Sequence, residues 1–280
     1  MAAKWWTDAL VDQLLHEDAP HGDLTTEALG IADAPARLTM AMRAPSTLCG
    51  VELAADIFAK AGARAEVLAA AGARVAAGAP ILEAQGSAGP ILLAWKVAQT
   101  LVEYLSGIAT ATAAIVDAAR AVDPDVAVVT TRKTFPGTKR MMIAAIKAGG
   151  ALPHRLGLSE TLLVFPEHRA FLADPAAAVG ALGLAVPEKK VVVEVVSLEE
   201  AREALAALPD VLQCEKMTPD GIRAVCALVA AAGLPTVVAA AGGVNAANAA
   251  DYVAAGARVL VTSAPYWAKP ADVKVTITPA

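Results

Sequence analysis

The second half of the chain alternates between two hydrophobic periods. Runs that are apolar almost throughout occupy 126–131 (VAVVTT), 161–165 (TLLVF), 191–196 (VVVEVV), 211–215 (VLQCE), 236–241 (TVVAAA) and 259–263 (VLVTS). Helical patterns over 138–148, 198–208, 218–232 and 246–255 separate several of them. Strands that are apolar on both faces and alternate with helices predict a parallel sheet covered on both sides. Six such units suit either a barrel or a doubly wound sheet. Thr218-Pro219 and Asn245 mark helix starts, and Gly149, Gly233 and Gly256 stand where helices should stop.

The first half reads differently. Residues 36–44 form a strand pattern, 51–61 a helix, and 66–86 short strands broken by Gly turns. From Pro90 to Arg120 the pattern is helical, with a break expected at Gly107 and a domain boundary near Ser106-Gly107. The tail at 273–278 (VKVTIT) alternates like a half-buried strand that returns to the front domain. AGAR recurs at 61–64, 71–74 and 255–258, a coincidence in a chain this rich in Ala and Gly rather than a structural repeat.

Composition narrows the function classes. The 280 residues are 56% hydrophobic but only 4% aromatic, so the core is built from small and β-branched side chains. Mean hydropathy is high at +0.52. No run of eighteen apolar residues is free of charge and of Gly or Pro, so no spanning helix is expected, and the N-terminus lacks the features of a signal peptide. The cysteines Cys49, Cys214 and Cys226 are isolated and show no metal-ligand spacing, which fits a reducing, cytoplasmic setting. A net charge of -5 argues against general nucleic-acid binding but leaves room for a local anion pocket.

That pocket has a candidate. Val126–Ser159 contains no Asp or Glu, yet carries Arg132, Lys133, Lys139, Arg140, Lys147, His154 and Arg155. Ligands of parallel α/β folds sit at the C-terminal ends of strands. There the chain places Arg132-Lys133, then His154-Arg155 on the next loop, Glu194 within an all-Val run, Glu215-Lys216, the turn Ala241-Gly242-Gly243-Val244-Asn245, and Thr262-Ser263. The four cations read as an anion site. The Gly-Gly turn and the helix after it read as a phosphate cradle. A carboxylate among valines is costly unless paired or lining the mouth, so Glu194 reads as functional. Glu215 could contact hydroxyls or a metal. Lys139 is a pocket-rim candidate, while Arg140 and Lys147 read as a wet helix face. His168 reads as a loop histidine, and Trp5, Trp6 and Trp95 as packing residues.

Together, GDLTT at 22–26, LSGIAT at 105–110, TRKTFPG at 131–137, the PHRLGLSE run ending at Glu160, VEV at 193–195 and AGGVN at 241–245 resemble the quinolinate phosphoribosyltransferase family (nicotinate-nucleotide pyrophosphorylase, carboxylating). TRKTFPGTK and PHRLGLSETLLVF resemble most its ModD subgroup, pyrophosphorylases associated with molybdenum transport. The resemblance implies an N-terminal α/β sandwich domain, 1–106 completed by 266–280. An incomplete six-stranded, TIM-like α/β barrel over 107–265 follows, and the whole is assembled as a homodimer with sites shared between subunits. It implies transfer of a phosphoribosyl group from phosphoribosyl pyrophosphate with Mg²⁺. Arg132, His154, Arg155 and Lys96 would then hold the acid substrate, with Lys139 at the rim, and Lys133 would face the donor. Glu194 and Glu215 would hold ribose or metal, and Gly242, Gly243, Asn245, Thr262 and Ser263 the phosphate.

The chain departs from the pattern at four places. Lys96 replaces an Arg, Phe165 a Lys, Glu215-Lys216 an Asp-Asn pair, and Ala241 a Ser. One cation is lost and another weakened on the acid side, which predicts an acceptor that is not, or not mainly, quinolinate. Two other readings compete: an oxyanion-binding or regulatory relative without catalysis, linked to molybdenum uptake, and a Schiff-base aldolase using Lys133. The aldolase needs an isolated, desolvated lysine, and this neighbourhood is crowded with charge.

Overall fold

The structure is a computed structural model describing residues 4–280. In chain order its first elements are α1 (Asp8–Asp18), α2 (Leu24–Leu29), β1 (Pro35–Met42), β2 (Ser46–Thr47), α3 (Val51–Ala61), β3 (Arg64–Val67), β4 (Arg74–Val75), β5 (Pro80–Ser87) and α4 (Ala88–Arg120). Then come β6 (Ala127–Thr130), α5 (Lys139–Ala148), β7 (Leu152–Pro153), β8 (Leu162–Val164), α6 (Pro166–Arg169), α7 (Pro175–Ala185), β9 (Val191–Val195) and α8 (Leu198–Leu205). The last are β10 (Val211–Glu215), α9 (Pro219–Ala231), β11 (Val237–Ala241), α10 (Ala249–Ala254), β12 (Val259–Thr262) and β13 (Val273–Pro279). The chain divides into two compact units. One gathers the chain up to Ala113 with Phe135–Gly150 and Tyr266–Ala280; the other joins Ala114–Thr134 to Ala151–Pro265.

The first unit is built on an antiparallel sheet in the order β13-β1-β5-β3. Strand β1 buries every second residue, Ala36, Leu38, Met40 and Met42, and so presents one apolar face. The tail strand β13 pairs antiparallel with β1 along its length. Helix α3 buries Leu53, Ala54, Ile57 and Phe58. The indole of Trp6 donates to Asp56 on α3 at 2.7 Å, and Trp5 packs edge-on against Trp6.

Helix α4 corrects one expectation: it runs unbroken through Gly107. That glycine answers to packing instead. A Cβ there would lie 2.3 Å from the Lys269 carbonyl oxygen and 3.0 Å from Pro270 Cα. The continuous helix carries the expected boundary at 106–107, and the division into compact units falls after Ala113 of the same helix. By length and composition α4 could cross a membrane, but 61% of its most apolar window is buried, as suits a core helix. Gly107→Ala should cost about 1–3 kcal/mol by overpacking, read as a lower midpoint of thermal unfolding. An unchanged midpoint would show that the tail does not press on α4.

The second unit is a curled parallel sheet in the order β7-β6-β12-β11-β10-β9-β8. It holds seven strands, where the sequence predicted six. The extra one, β7, is only two residues long and too brief to show as an apolar run. The six longer strands are all present. Helix α9 is capped as expected, the Thr218 hydroxyl accepting from Gly221 N–H with Pro219 at the first turn. Helices α6 and α7 were not foreseen. Helix α7 starts on an Asp174 cap and Pro175, but its sequence PAAAVGALGLA has no polar face to set a period.

Candidate functional site

The C-terminal ends of the second unit's strands surround a cavity of about 530 Å³. Chain geometry explains each contribution. Past β6, Thr131 N–H donates to the Thr262 carbonyl at 2.9 Å, and Lys133 N–H to Thr131 Oγ1 at 3.3 Å, which holds Arg132 and Lys133 at the rim. Strand β7 pairs with the end of β6, and His154 N–H donates to the Thr130 carbonyl at 2.9 Å, so His154 and Arg155 arrive beside them. Arg155 is buried, 6% exposed. Its guanidinium lies 5.9 Å from the Phe165 ring centre. Burial, with Arg132 close by, lowers the Arg155 pKa. Burial and the Arg155 charge also push the His154 pKa below its usual value.

The same cavity is lined by Glu194 on β9 and by Gln213 and Glu215 on β10. Glu194 and Gln213 are register partners. The Gln213 amide donates to Glu194 Oε2 at 2.7 Å, while its own Oε1 is buried without a partner. Burial raises the Glu194 pKa, the Gln213 hydrogen bond works against that, and the charges of Glu215 and Glu167 add to the rise. Arg169 fixes the backbone from outside, donating to the Glu194 carbonyl and to Glu200, both at 3.1 Å. Gln213 had a legible signal, a polar residue inside an apolar run, the same signal that drew attention to Glu194.

The glycine turn closes the third side. Lys216 sits in the left-handed region at φ 55° and donates its N–H to the Ala241 carbonyl at 2.8 Å. Gly242 (φ 80°) and Gly243 (φ 89°) follow β11. A Cβ at Gly242 would lie 2.7 Å from Glu215 Oε1 and 2.6 Å from Lys216 Cγ, so only glycine fits there. The helix expected from residue 246 begins only at Ala249 and is six residues long, because residues 245–248 form a side-chain-bonded turn. The cradle therefore stands on the turn's own amides.

The cavity brings together Arg132, Lys133, His154, Arg155, Glu194, Glu215, Gly242, Gly243 and Ser263. Four other candidates are not among its lining residues. Thr262 is buried with its hydroxyl donating to the Val244 carbonyl. Asn245 bonds within its own turn. Lys96 lies on α4 in the first unit, over the Trp95 ring and bonded to Gln99, and Lys139 opens α5 in that same unit. Gln213, Glu167, Lys216, Leu163 and Phe165 line the cavity in addition. Phe165 is held by His168, whose Nδ1 accepts the Phe165 N–H at 2.9 Å and whose ring stacks at 5.7 Å. His168 is thus a buttress rather than a free loop histidine.

This arrangement first defines a class: α/β half-barrel proteins whose strand ends form a mouth lined by cations and carboxylates. Comparison with known proteins gives the family. The description "Quinolinate phosphoribosyl transferase, N-terminal domain" matches residues 23–106 and its C-terminal counterpart residues 108–276. The chain belongs to the quinolinate phosphoribosyl transferase family. It is 45% identical over 257 residues to a Rhodobacter capsulatus protein named "Putative pyrophosphorylase ModD", covering 90% of this chain and 97% of that one. A nicotinate-nucleotide pyrophosphorylase (carboxylating) of Mycobacterium leprae is 34% identical, with 91% and 90% covered. The solved nicotinate-nucleotide pyrophosphorylase of Francisella tularensis superposes with a TM-score of 0.86 at 25% identity, over 96% of this chain and 95% of that one.

Proposed function

We propose that the protein transfers a phosphoribosyl group from phosphoribosyl pyrophosphate to an anionic acceptor other than, or not mainly, quinolinate. The observation that supports this most is the meeting of Arg132, Lys133, Arg155 and Lys216 with Glu194 and Glu215 in one mouth. A simple oxyanion receptor, for molybdate for example, gains nothing from carboxylates facing its ligand. A transferase uses both. Breaking the bond from ribose C1 to pyrophosphate leaves positive charge on the sugar and negative charge on the leaving group. Glu215, beside Gly242, faces the sugar, and Glu194, oriented by Gln213, receives its hydroxyls. Lys133 meets the departing pyrophosphate, while Arg132 and Arg155 hold the acceptor's acid group and the amides of the glycine turn the 5′-phosphate.

The donor set bears on Mg²⁺. The described residues contain no cluster of three His, Cys, Asp or Glu. Glu194 and Glu215 supply hard oxygens, but too few for six-coordination alone. They fit an ion brought in by the substrate's phosphates, where Mg²⁺ supplies charge neutralisation on the leaving group. Lys96, outside this mouth, is proposed to serve the mouth of a second copy.

The test is pyrophosphate release from phosphoribosyl pyrophosphate and Mg²⁺ with a panel of ring acids. Release with a monoanionic acid, and little with quinolinate, is the expected result. Quinolinate turnover at ordinary enzyme rates, about 1–10³ s⁻¹, would overturn the acceptor assignment. Failure to bind phosphoribosyl pyrophosphate would overturn the transferase assignment itself.

A further inference from the structure

We infer that Thr262, Asn245 and Asn248 are positioning residues that make the Gly242–Gly243 turn receptive to an anion by tying back its carbonyl groups, without touching the anion themselves. The inference rests on the transferase reading only for the nature of the anion, a phosphate monoester.

A tight turn presents two kinds of dipole. Its N–H groups attract an anion and its carbonyl oxygens repel one, so an anion site needs the oxygens turned away and occupied. Here they are. The Gly243 carbonyl accepts from Asn245 Nδ2 at 3.0 Å and from Asn248 Nδ2 at 3.1 Å. The Val244 carbonyl accepts from Thr262 Oγ1 at 2.6 Å, a bond inside the protein. The Thr262 oxygen in turn accepts Ala264 N–H at 3.0 Å, which fixes the hydroxyl's direction. Thr262 is 2% exposed and, at the end of β12, clamps the turn that follows the neighbouring strand β11. Asn248 Oδ1 accepts the Asn245 N–H at 2.8 Å, and Asn245 Oδ1 the Ala247 N–H at 2.9 Å. The N–H groups of Asn245 and Ala247 are therefore consumed within the turn. Among the described residues no acceptor is found for the N–H of Gly242 or Gly243, and both residues line the cavity.

The brace is chemically specific. Valine at 262 keeps shape and burial but loses the hydroxyl, leaving the Val244 carbonyl free to swing. Serine keeps the hydroxyl. Calorimetric titration of the full chain with ribose 5-phosphate as probe is the experiment. Thr262→Val should weaken binding about tenfold, the effect of one lost hydrogen bond, and Thr262→Ser should recover to within about twofold. Asn248→Ala, at a half-exposed site, should weaken binding in the same direction whether or not the valine variant folds well. Wild-type-like binding by Thr262→Val and Asn248→Ala would overturn the brace while leaving the transferase reading intact, as would a serine variant no better than valine. A wild-type protein that binds neither ribose 5-phosphate nor phosphoribosyl pyrophosphate would overturn both.

Discussion

Arg155→Met is expected to reduce kcat/KM for the acceptor by about 10²–10³-fold, the scale seen when one fixed donor to a charged group is removed. Most of the loss should fall on the acceptor's KM. Arg155 is the best-buried of the four cations and is held against Phe165. In so little water its charge is screened weakly. Methionine keeps much of the volume, so the fold should survive. Arg155→Lys should recover only part of the loss, because an ammonium cannot make two parallel bonds to a carboxylate. The measurement is steady-state kinetics with acceptor and donor varied separately. If Arg155→Met leaves the acceptor KM unchanged, Arg155 does not hold the acid group.

Phe165→Lys is the second large change, and it should add function. Phe165 lines the cavity as an apolar side chain beside Arg155. A lysine there would restore a positive charge and should tighten binding of an aromatic dicarboxylate by roughly tenfold to a hundredfold, the range of a charge-assisted hydrogen bond. The new ammonium would stand near Arg155, so the unliganded variant should be less stable and the dicarboxylate should stabilise it more than it does the wild type. Quinolinate binding by calorimetry, with thermal unfolding alongside, reads both. Equal affinity in wild type and variant would mean that residue 165 does not set the acceptor's charge.

What was legible in the sequence followed from local physics. Parallel strands buried on both faces announce themselves as Val-rich runs, and the six longer barrel strands stand where those runs are. A charge in such a run is conspicuous, and Glu194 stands out for that reason. Gln213 carried the same signal in VLQCE and is Glu194's direct partner. Other features depended on distant residues. Nothing near Gly107 reveals that the Lys269 carbonyl will press on it. Thr262 was expected to touch phosphate because it ends a strand, but its hydroxyl is spent on Val244 across the neighbouring strand's turn. Asn245 looked like a helix cap, and the helix instead waits until Ala249 because Asn245 and Asn248 bond to each other's turn first.

Strands β7 and β8 are the two edges of the curled sheet, and consecutive in the chain. The segment between them, which starts with His154 and Arg155, crosses the one seam where the wall has no ladder of backbone bonds. Pro153 at the end of β7 has no N–H to extend that ladder. Sequence drift in this strip can reshape the mouth's lining without unravelling the wall. One scaffold can thereby acquire new chemistry of recognition while its load is carried elsewhere.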